Sequence, residues 1–388
     1  MPQHGPHAMT FTTSVVGSFA RPRWLVEAFD RFQRGEATKE EIDDYIGDAV
    51  KLTIKEEESA GLDVLTDGEQ GRTSFVAFVG QKVPGFRLAA IETLHPRAKE
   101  IMREEKAQLT LWRAVAADRV RDAPMALAEY EFARNYAVRP IKVTLPSPYL
   151  LMWETWHRET SKAVYPRPED LAEDCVMVVR QEILRLRDAG VPFVQLDEPM
   201  VGDLVEATET EPDRYRKVVE RIHGQRYRGF RNELALACDL INKTVAGIEG
   251  LRIGMHLDRW PNKDSPYYGI GYERLLPEVL DIHVRQYVLE YASPGSGDPA
   301  KFVEHLPRER EVGLGVIEVR NPRVETPAEI VARVERIVKL VDPPRIWLNP
   351  DCGFAPGMYR AFSRRIAFAK LRSMVAAADL LRRKYGAA

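Results

Sequence analysis

Four short apolar runs in the C-terminal half of this chain end in side chains that can bind a metal or carry a proton. His256 closes one in IGMHLDRW, Glu290 follows QYVL, Cys352 follows RIWLNPD, and Asp197-Glu198 ends VPFVQLDEP. An apolar run with a polar terminus is how a buried parallel strand delivers a functional group to a barrel mouth. Imidazole, carboxylate and thiol delivered together form a zinc-type donor set. Three protein ligands and one exchangeable position suit a catalytic site, and coordination strips the proton from an incoming thiol. Asp258, two residues beyond His256, faces the same way on a continued strand. It is either a fourth, oxygen ligand or the ion-pair partner of Arg259. Asp197 and Glu198 are adjacent on a strand end, so only one of them enters the site.

Eight segments have the character of the strands needed to position these groups: TSVVGSF, DVLTDGE, IKVTLPSPYLL, VPFVQLDEP, LRIGMHL, RQYVLEYA, EVGLGVIEVRNP and RIWLNPDCGF. Helical patterns lie between them, among them EEIDDYIGDAVKLTIKEEESAG, DLAEDCVMVVRQEILRLRDAG, GYERLLPEVLDI and PAEIVARVERIVKLV, and SRRIAFAKLRSMVAAADLLRRKY closes the chain. This alternation predicts an α/β fold, a (β/α)8 TIM barrel, in which polar strand ends gather on one face. The expected organisation is one catalytic domain over 11–388, a disordered leader over 1–10, and a helical or hairpin insertion around the charged stretch 95–135. An open doubly wound sheet is the alternative, disfavoured because no Gly-rich phosphate loop follows the first strand.

The 388 residues are 45% hydrophobic and 29% charged, with a net charge of -2, which gives a large core and no electrostatic case for nucleic acid or anionic membrane as partner. No run of 18 apolar residues is present, so no membrane span is expected. The three cysteines, Cys175, Cys238 and Cys352, are too few and odd in number for a disulfide framework and point to a reducing, cytoplasmic setting. Cys175 and Cys238 sit in helical apolar patterns as small hydrophobes, whereas a loop presents Cys352.

In the segments VVGSF, DVLTDGEQGR, LPSPYLLMW, VQLDEP, MHLDR, VLEYAS, GVIEVRNPRVE and WLNPDCGF, taken in order, the chain resembles the catalytic barrel of the cobalamin-independent methionine synthase family. Having no second barrel, it is similar to the short, single-barrel branch. The resemblance implies a zinc-dependent methyltransferase that activates the thiol of homocysteine for attack on a methyl group. The donor would be methyltetrahydrofolate or a methyl-corrinoid, which could come with a corrinoid protein. By the same resemblance His256, Glu290 and Cys352 match metal ligands. Glu69, Asp197 and the Gly17-Ser18 turn match positions that hold the amino-acid substrate, with Asp197 and Glu69 on its ammonium. Trp153 matches an aromatic near the pterin.

Two positions depart from the family pattern. Asp258 stands where the family has a second zinc cysteine, and Arg320 where it has an active-site histidine thought to assist protonation of the folate leaving group. Cysteine to aspartate keeps the ligand charge but makes the site harder. That favours a better leaving group, a more reactive donor, a thiol other than homocysteine, or another divalent metal. Arg320 either binds an anionic group or pairs with Glu318 or Glu325. Glu69 has Arg72 as an alternative partner, Ser18 reads equally as a turn residue, and Trp153 as an aromatic core edge. His283 lies in a connection and reads as structural. Other chemistries open to such a site are thiol addition to a non-methyl electrophile, as in coenzyme M transferases, and metal-dependent lyase or hydrolase chemistry on bound water. A further reading is a binding protein that has lost turnover.

Overall fold

The computed structural model describes residues 10–90, 112–206, 227–259, 268–355 and 363–386. The expected leader therefore lies almost wholly outside the described residues, as does the stretch 91–111 of the expected insertion. Seven strands form one parallel sheet: β1 (Thr12–Thr13), β4 (Lys142–Pro146), β5 (Phe193–Asp197), β6 (Arg252–Leu257), β7 (Gln286–Leu289), β8 (Glu311–Ile317) and β9 (Ile346–Pro350). They run in the order β1-β9-β8-β7-β6-β5-β4. Val64 and Leu65 close the circle through parallel bridges to Ser14 and Ile141. Backbone bonds seal both seams, from Val64 N–H to the Thr13 carbonyl (3.1 Å) and from Lys142 N–H to the Leu65 carbonyl (2.8 Å). The result is the (β/α)8 TIM barrel that the alternation predicts.

The helices follow local rules. Helix Lys39–Ala60 starts with a Thr38/Glu41 capping box and ends at left-handed Gly61. Helix Pro168–Asp188 ends two residues before Gly190, which is also left-handed. The closing helix, Arg364–Tyr385, is capped by Ser363.

Three expectations are corrected. The first strand was expected to run through TSVVGSF, but its pairing stops at Ser14, because the carbonyls of Val15 and Val16 turn inward to accept from the Lys142 and Gln195 side chains. GYERLLPEVLDI forms two 3-10 turns, Tyr272–Leu275 and Glu278–Asp281, instead of one helix. Pro277 between them has no N–H to continue a helical ladder. The insertion begins before 95, in an antiparallel hairpin of β2 (Phe86–Ala90) and β3 (Trp112–Ala116), and continues in a helix over Leu127–Arg134. Glu182 of helix 168–188 caps that helix by accepting from the N–H groups of Ala126 (2.6 Å) and Leu127 (2.8 Å).

The barrel interior is unusually polar. Aliphatic side chains normally fill it in layers. Here Phe193 and Trp347 meet edge to face near the base, with Arg252 over the indole. Above them lie buried Lys142, Thr144, Gln195, Gln286 and Asn349. Every such group needs a partner, because an unmatched polar atom in this space costs about 1–3 kcal/mol. Hydrogen bonds of Lys142, Thr144 and Gln195 make this part of the interior a scaffold beneath the strand ends.

Glu57, on the inner face of helix 39–60, is fully buried and accepts from the Thr66 N–H (2.8 Å). Burial pushes its carboxyl from 4.5 up to about 8, against the hydrogen bonds from Thr66. The folded chain thus keeps a proton that the unfolded chain releases. Stability from this group is full below about pH 4.5 and is lost as pH rises toward about 8. Glu57→Gln, which keeps an acceptor for Thr66, is expected to flatten that slope. Urea midpoints measured from pH 5 to 9 check it, and an unchanged slope would locate the titration elsewhere.

Candidate metal centre and substrate site

The β5–β6 register sets Asp197 beside His256 at the C-terminal end of the sheet. Donor atoms of His256, Asp258 and Glu290 all lie within 4.8 Å of one another. His256 and Glu290 are buried, and Asp258 is partly so. The Asp258 and Glu290 carboxyls interact with each other, and the buried Cys352 thiol feels the charges of both. Three of the four groups that the sequence marks as ligands therefore converge, and Cys352 is buried near them.

Their electrostatics favour a bound cation. Burial pushes Glu290 well above the usual carboxylate range, and the hydrogen bond to Asp258 pushes it further. Burial also acts on Asp258, but its bond from Glu290 and the charges of His256 and Arg320 hold it below its ordinary value. Burial, then the charges of Asp258 and Glu290, push the Cys352 thiol well up. Burial opposes the charged form of His256, yet the Asp197 hydrogen bond and charge raise it. Two carboxylates forced to share a proton beside a protonated thiol are groups that a divalent cation would relieve, at the expense of protons released. Imidazole, thiol and carboxylate donors suit zinc, and the observed convergence fits it.

Neighbouring groups hold the donors in place. Arg320 grips Glu290 with both guanidinium arms (3.0 and 3.1 Å) and also reaches Ser293 Oγ and the Arg259 carbonyl. The pairing with Glu318 or Glu325 offered by the sequence is corrected. Glu325 takes Lys370 (2.7 Å) and the Glu318 N–H (2.9 Å) instead. Asp258 lies 3.8 Å from Arg320, and the Arg259 N–H donates to Glu290 Oε1 at 3.1 Å.

The sequence reading passed over two further residues. Asp351 accepts from Tyr291 N–H and Ala292 N–H on one oxygen (both 2.8 Å) and from Ser293 on the other, while its own carbonyl meets His256 Nε2 at 3.1 Å. It fixes the turn after Glu290 and one edge of the imidazole. Its signal was its place inside NPDCG, next to Cys352. The Tyr272 hydroxyl donates to the Leu257 carbonyl (2.7 Å) and accepts from Glu290 N–H (3.1 Å), tying the ends of β6 and β7 together. No local pattern marked Tyr272.

The candidate substrate residues gather on the β1 side. Glu69 is buried on a left-handed backbone (φ 52°), a strained conformation for a glutamate. Its Oε1 accepts from Thr144 Oγ1 at 2.7 Å, and Arg72 stands 3.8 Å away. The closer ion-pair partner of Arg72 is Glu129, at 2.7 Å. Burial raises Glu69 to about 7, opposed by Arg72 and assisted by Asp197. A Cβ on Gly17 would come within 2.3 Å of Glu69 Oε1, so only glycine admits this approach. Ser18 meets the loop after Cys352. Its carbonyl accepts from Phe354 N–H (2.8 Å), its hydroxyl accepts from Ala355 N–H (3.3 Å), and a Cβ on Gly353 would meet that hydroxyl at 2.1 Å.

Asp197 Oδ1 accepts from Gln195 Nε2 (2.6 Å) and lies 3.5 Å from His256 Nδ1. Glu198 turns away and caps the short helix Pro199–Asp203 through Val201 N–H. Trp153 is fully buried on helix Pro148–Thr155, edge-on to Tyr149 (6.4 Å between centroids). His283 is exposed, with its N–H bonded to Asn242 Oδ1.

The fold and this site define a class: a (β/α)8 barrel with a candidate divalent-metal centre at its strand C-termini, flanked by the further carboxylates of Asp197 and Glu69. Comparison with known proteins narrows it. The chain belongs to the cobalamin-independent synthase family, whose catalytic-domain model matches residues 11–222 and 271–380. It is 28% identical to the methionine synthase of Thermococcus kodakarensis over 374 residues, 96% of this chain and 94% of that protein. It is 29% identical to the methionine synthase of Pyrococcus abyssi over 375 residues, 96% and 93% of the two chains. Among solved structures, a B12-independent methionine synthase from Shewanella sp. W3-18-1 in complex with selenomethionine matches with a TM-score of 0.73 at 19% identity, covering 98% of this chain and all of that one. A methyltransferase from Methanosarcina mazei matches with a TM-score of 0.52 at 13% identity, covering 97% and 95%.

Proposed function

We propose that this protein is a zinc-dependent methyltransferase that methylates a thiol amino acid, homocysteine or a close relative, in one barrel domain. The observation that carries the reading is the convergence of His256, Asp258 and Glu290 donor atoms within 4.8 Å. Membership of the synthase family and the methionine synthases similar to it nearly end to end support the reaction class.

His256, Glu290, Cys352 and Asp258 would hold the metal. When bound, zinc keeps the acceptor sulfur as a thiolate at neutral pH. The chain's own residues do the rest. Asp197 and Glu69 flank the place where an ammonium group would sit, and two carboxylates fix its orientation through charge-assisted hydrogen bonds. Gly17 and Ser18 form the adjoining turn for the substrate carboxylate. Arg320 takes part of the charge of Glu290, so that this oxygen donor gives less to the metal. With Asp258 in place of a thiolate, the centre is harder and pairs best with a reactive methyl donor. Methyltetrahydrofolate and a methyl-corrinoid are the two donors to compare.

Among the described residues no helix is long and apolar enough to cross a membrane. The three cysteines are buried free thiols, which supports a reducing, cytoplasmic setting.

The test is metal analysis of the purified protein followed by assay with homocysteine and each methyl donor. About one zinc per chain, with methionine formed from one donor and only in the metal-loaded protein, is the expected result. Tight homocysteine binding without product from either donor would leave a binding protein. Turnover of a substrate without any thiol would leave a lyase or hydrolase.

A further inference from the structure

Beneath the proposed ammonium site, a buried chain of side chains runs down the barrel axis. Asp197 Oδ1 accepts from Gln195 Nε2 at 2.6 Å, and the same nitrogen donates to the Val16 carbonyl at 3.0 Å. Gln195 Oε1 in turn accepts from Lys142 Nζ at 2.7 Å, and Lys142 also donates to the Val15 carbonyl. Gln195 is 0% exposed and Lys142 2%. Neither belongs to the donor set, and a lysine ammonium in a barrel core is costly unless it is matched.

We propose that Lys142 and Gln195 are positioning residues that set the Asp197 carboxylate to receive the ammonium group of the acceptor, an inference that rests on the function proposed above. The argument is directional. A glutamine amide presents an oxygen on one side and an NH2 on the other, and it can flip. Asp197 and the Val16 carbonyl are both acceptors, so only the orientation with Nε2 toward them is favourable. Lys142 offers only donors on the opposite side and therefore locks that orientation. The flipped amide would oppose oxygen to carboxylate above and NH2 to ammonium below. Burial draws Lys142 down to about 7, against Asp197, Glu57 and Glu69. The lock does not depend on that proton, since the neutral amine still has an N–H for each of its two acceptors. With Oδ1 engaged by Gln195 and facing His256, Oδ2 of Asp197 is left to meet a cation. The carbonyls of Val15 and Val16 bring the first-strand loop, and with it Gly17-Ser18, into the same network. One device thus registers both proposed contacts to an amino acid.

The metal-loaded full chain is assayed with homocysteine and with 4-mercaptobutanoate, the same thiol acid without the ammonium. The variants are Lys142→Met, Gln195→Met and the double Lys142→Met/Gln195→Leu, in which neither side chain is left facing the other's lost partner. The double variant reports if a single one does not fold, and melting curves verify folding. A positioning role predicts that KM for homocysteine rises about tenfold while KM for 4-mercaptobutanoate stays within about twofold, the loss of one charge-assisted hydrogen bond. Equal changes with both thiols, or none with either, would overturn the inference and leave the proposed function standing. Wild-type protein that methylates neither thiol would overturn that function, and this inference with it.

Discussion

Cys352→Ser will leave a folded barrel that no longer retains its metal and whose kcat/KM falls on the order of a thousandfold, about 4 kcal/mol of transition-state stabilisation. Burial and the charges of Asp258 and Glu290 oppose the Cys352 thiolate more than Arg320 favours it, so a bound divalent cation is what would stabilise that anion. Serine is a far poorer ligand, since its hydroxyl does not ionise at accessible pH. The fold should tolerate the change, because serine is smaller than cysteine and the Gly353–Ser18 contact beyond it is untouched. Metal analysis after dialysis, together with kcat/KM, checks this. Retention of metal and activity would show that Cys352 is a loop thiol and that the centre, if any, is made by His256, Asp258 and Glu290 alone.

The second large effect concerns Arg320. Arg320→Met removes the fork that holds Glu290 and the cation nearest Asp258. In metal-free protein this leaves two buried carboxylates facing each other, and the expected loss is about 3 kcal/mol, as for a buried ion pair stripped of one partner. The loss should grow with pH. Glu290 already holds its proton well above the usual range, and without Arg320 it holds it higher still. The folded state then binds more protons than the unfolded chain over a wider window, so stability falls as pH rises through it. Bound metal neutralises the same carboxylates, so the holo protein should lose much less. Melting temperatures of apo and zinc-loaded variant at pH 6 and 8 are the measurement. An equal drop in both forms would mean that Arg320 acts through packing rather than by balancing the ligand charge.

These effects turn on how the chain departs from the family pattern at two places that touch. Asp258 and Arg320 are 62 positions apart in the sequence, yet they lie 3.8 Å apart, with Glu290 between them. As separate substitutions they read as a lost thiolate and a lost acid. In space they read as a coupled change, in which an oxygen ligand replaces sulfur and a guanidinium takes up charge from the neighbouring carboxylate. Whether this retunes the centre for a more activated methyl donor is what the comparison of donors decides.

The barrel was legible in the sequence, and for a physical reason. Parallel strands buried on both faces are continuous apolar runs, and each functional side chain sits where such a run stops, so His256, Glu290, Cys352 and Asp197 announced themselves locally. Helix ends were equally local, set by Thr38 with Glu41, Gly61, Gly190 and Ser363. Lys142 and Gln195 were readable in principle, as polar residues at inward positions of strands that are otherwise apolar. What local pattern does not carry is the partner across the barrel. The sequence left Arg320 between an anionic ligand and two rim glutamates, and only closure of the sheet brought it to Glu290. It could not show that Val15 and Val16 would give their carbonyls to a lysine and a glutamine from other strands, which cuts the first strand short, nor that Asp351 would brace both His256 and the turn after Glu290. The sequence by itself determined the elements and the identity of the reactive groups, because propensity, periodicity and burial are properties of short segments. Only the tertiary structure decided which charges meet, because hydrogen-bond partners and electrostatic balance are set by distances between residues far apart in the chain.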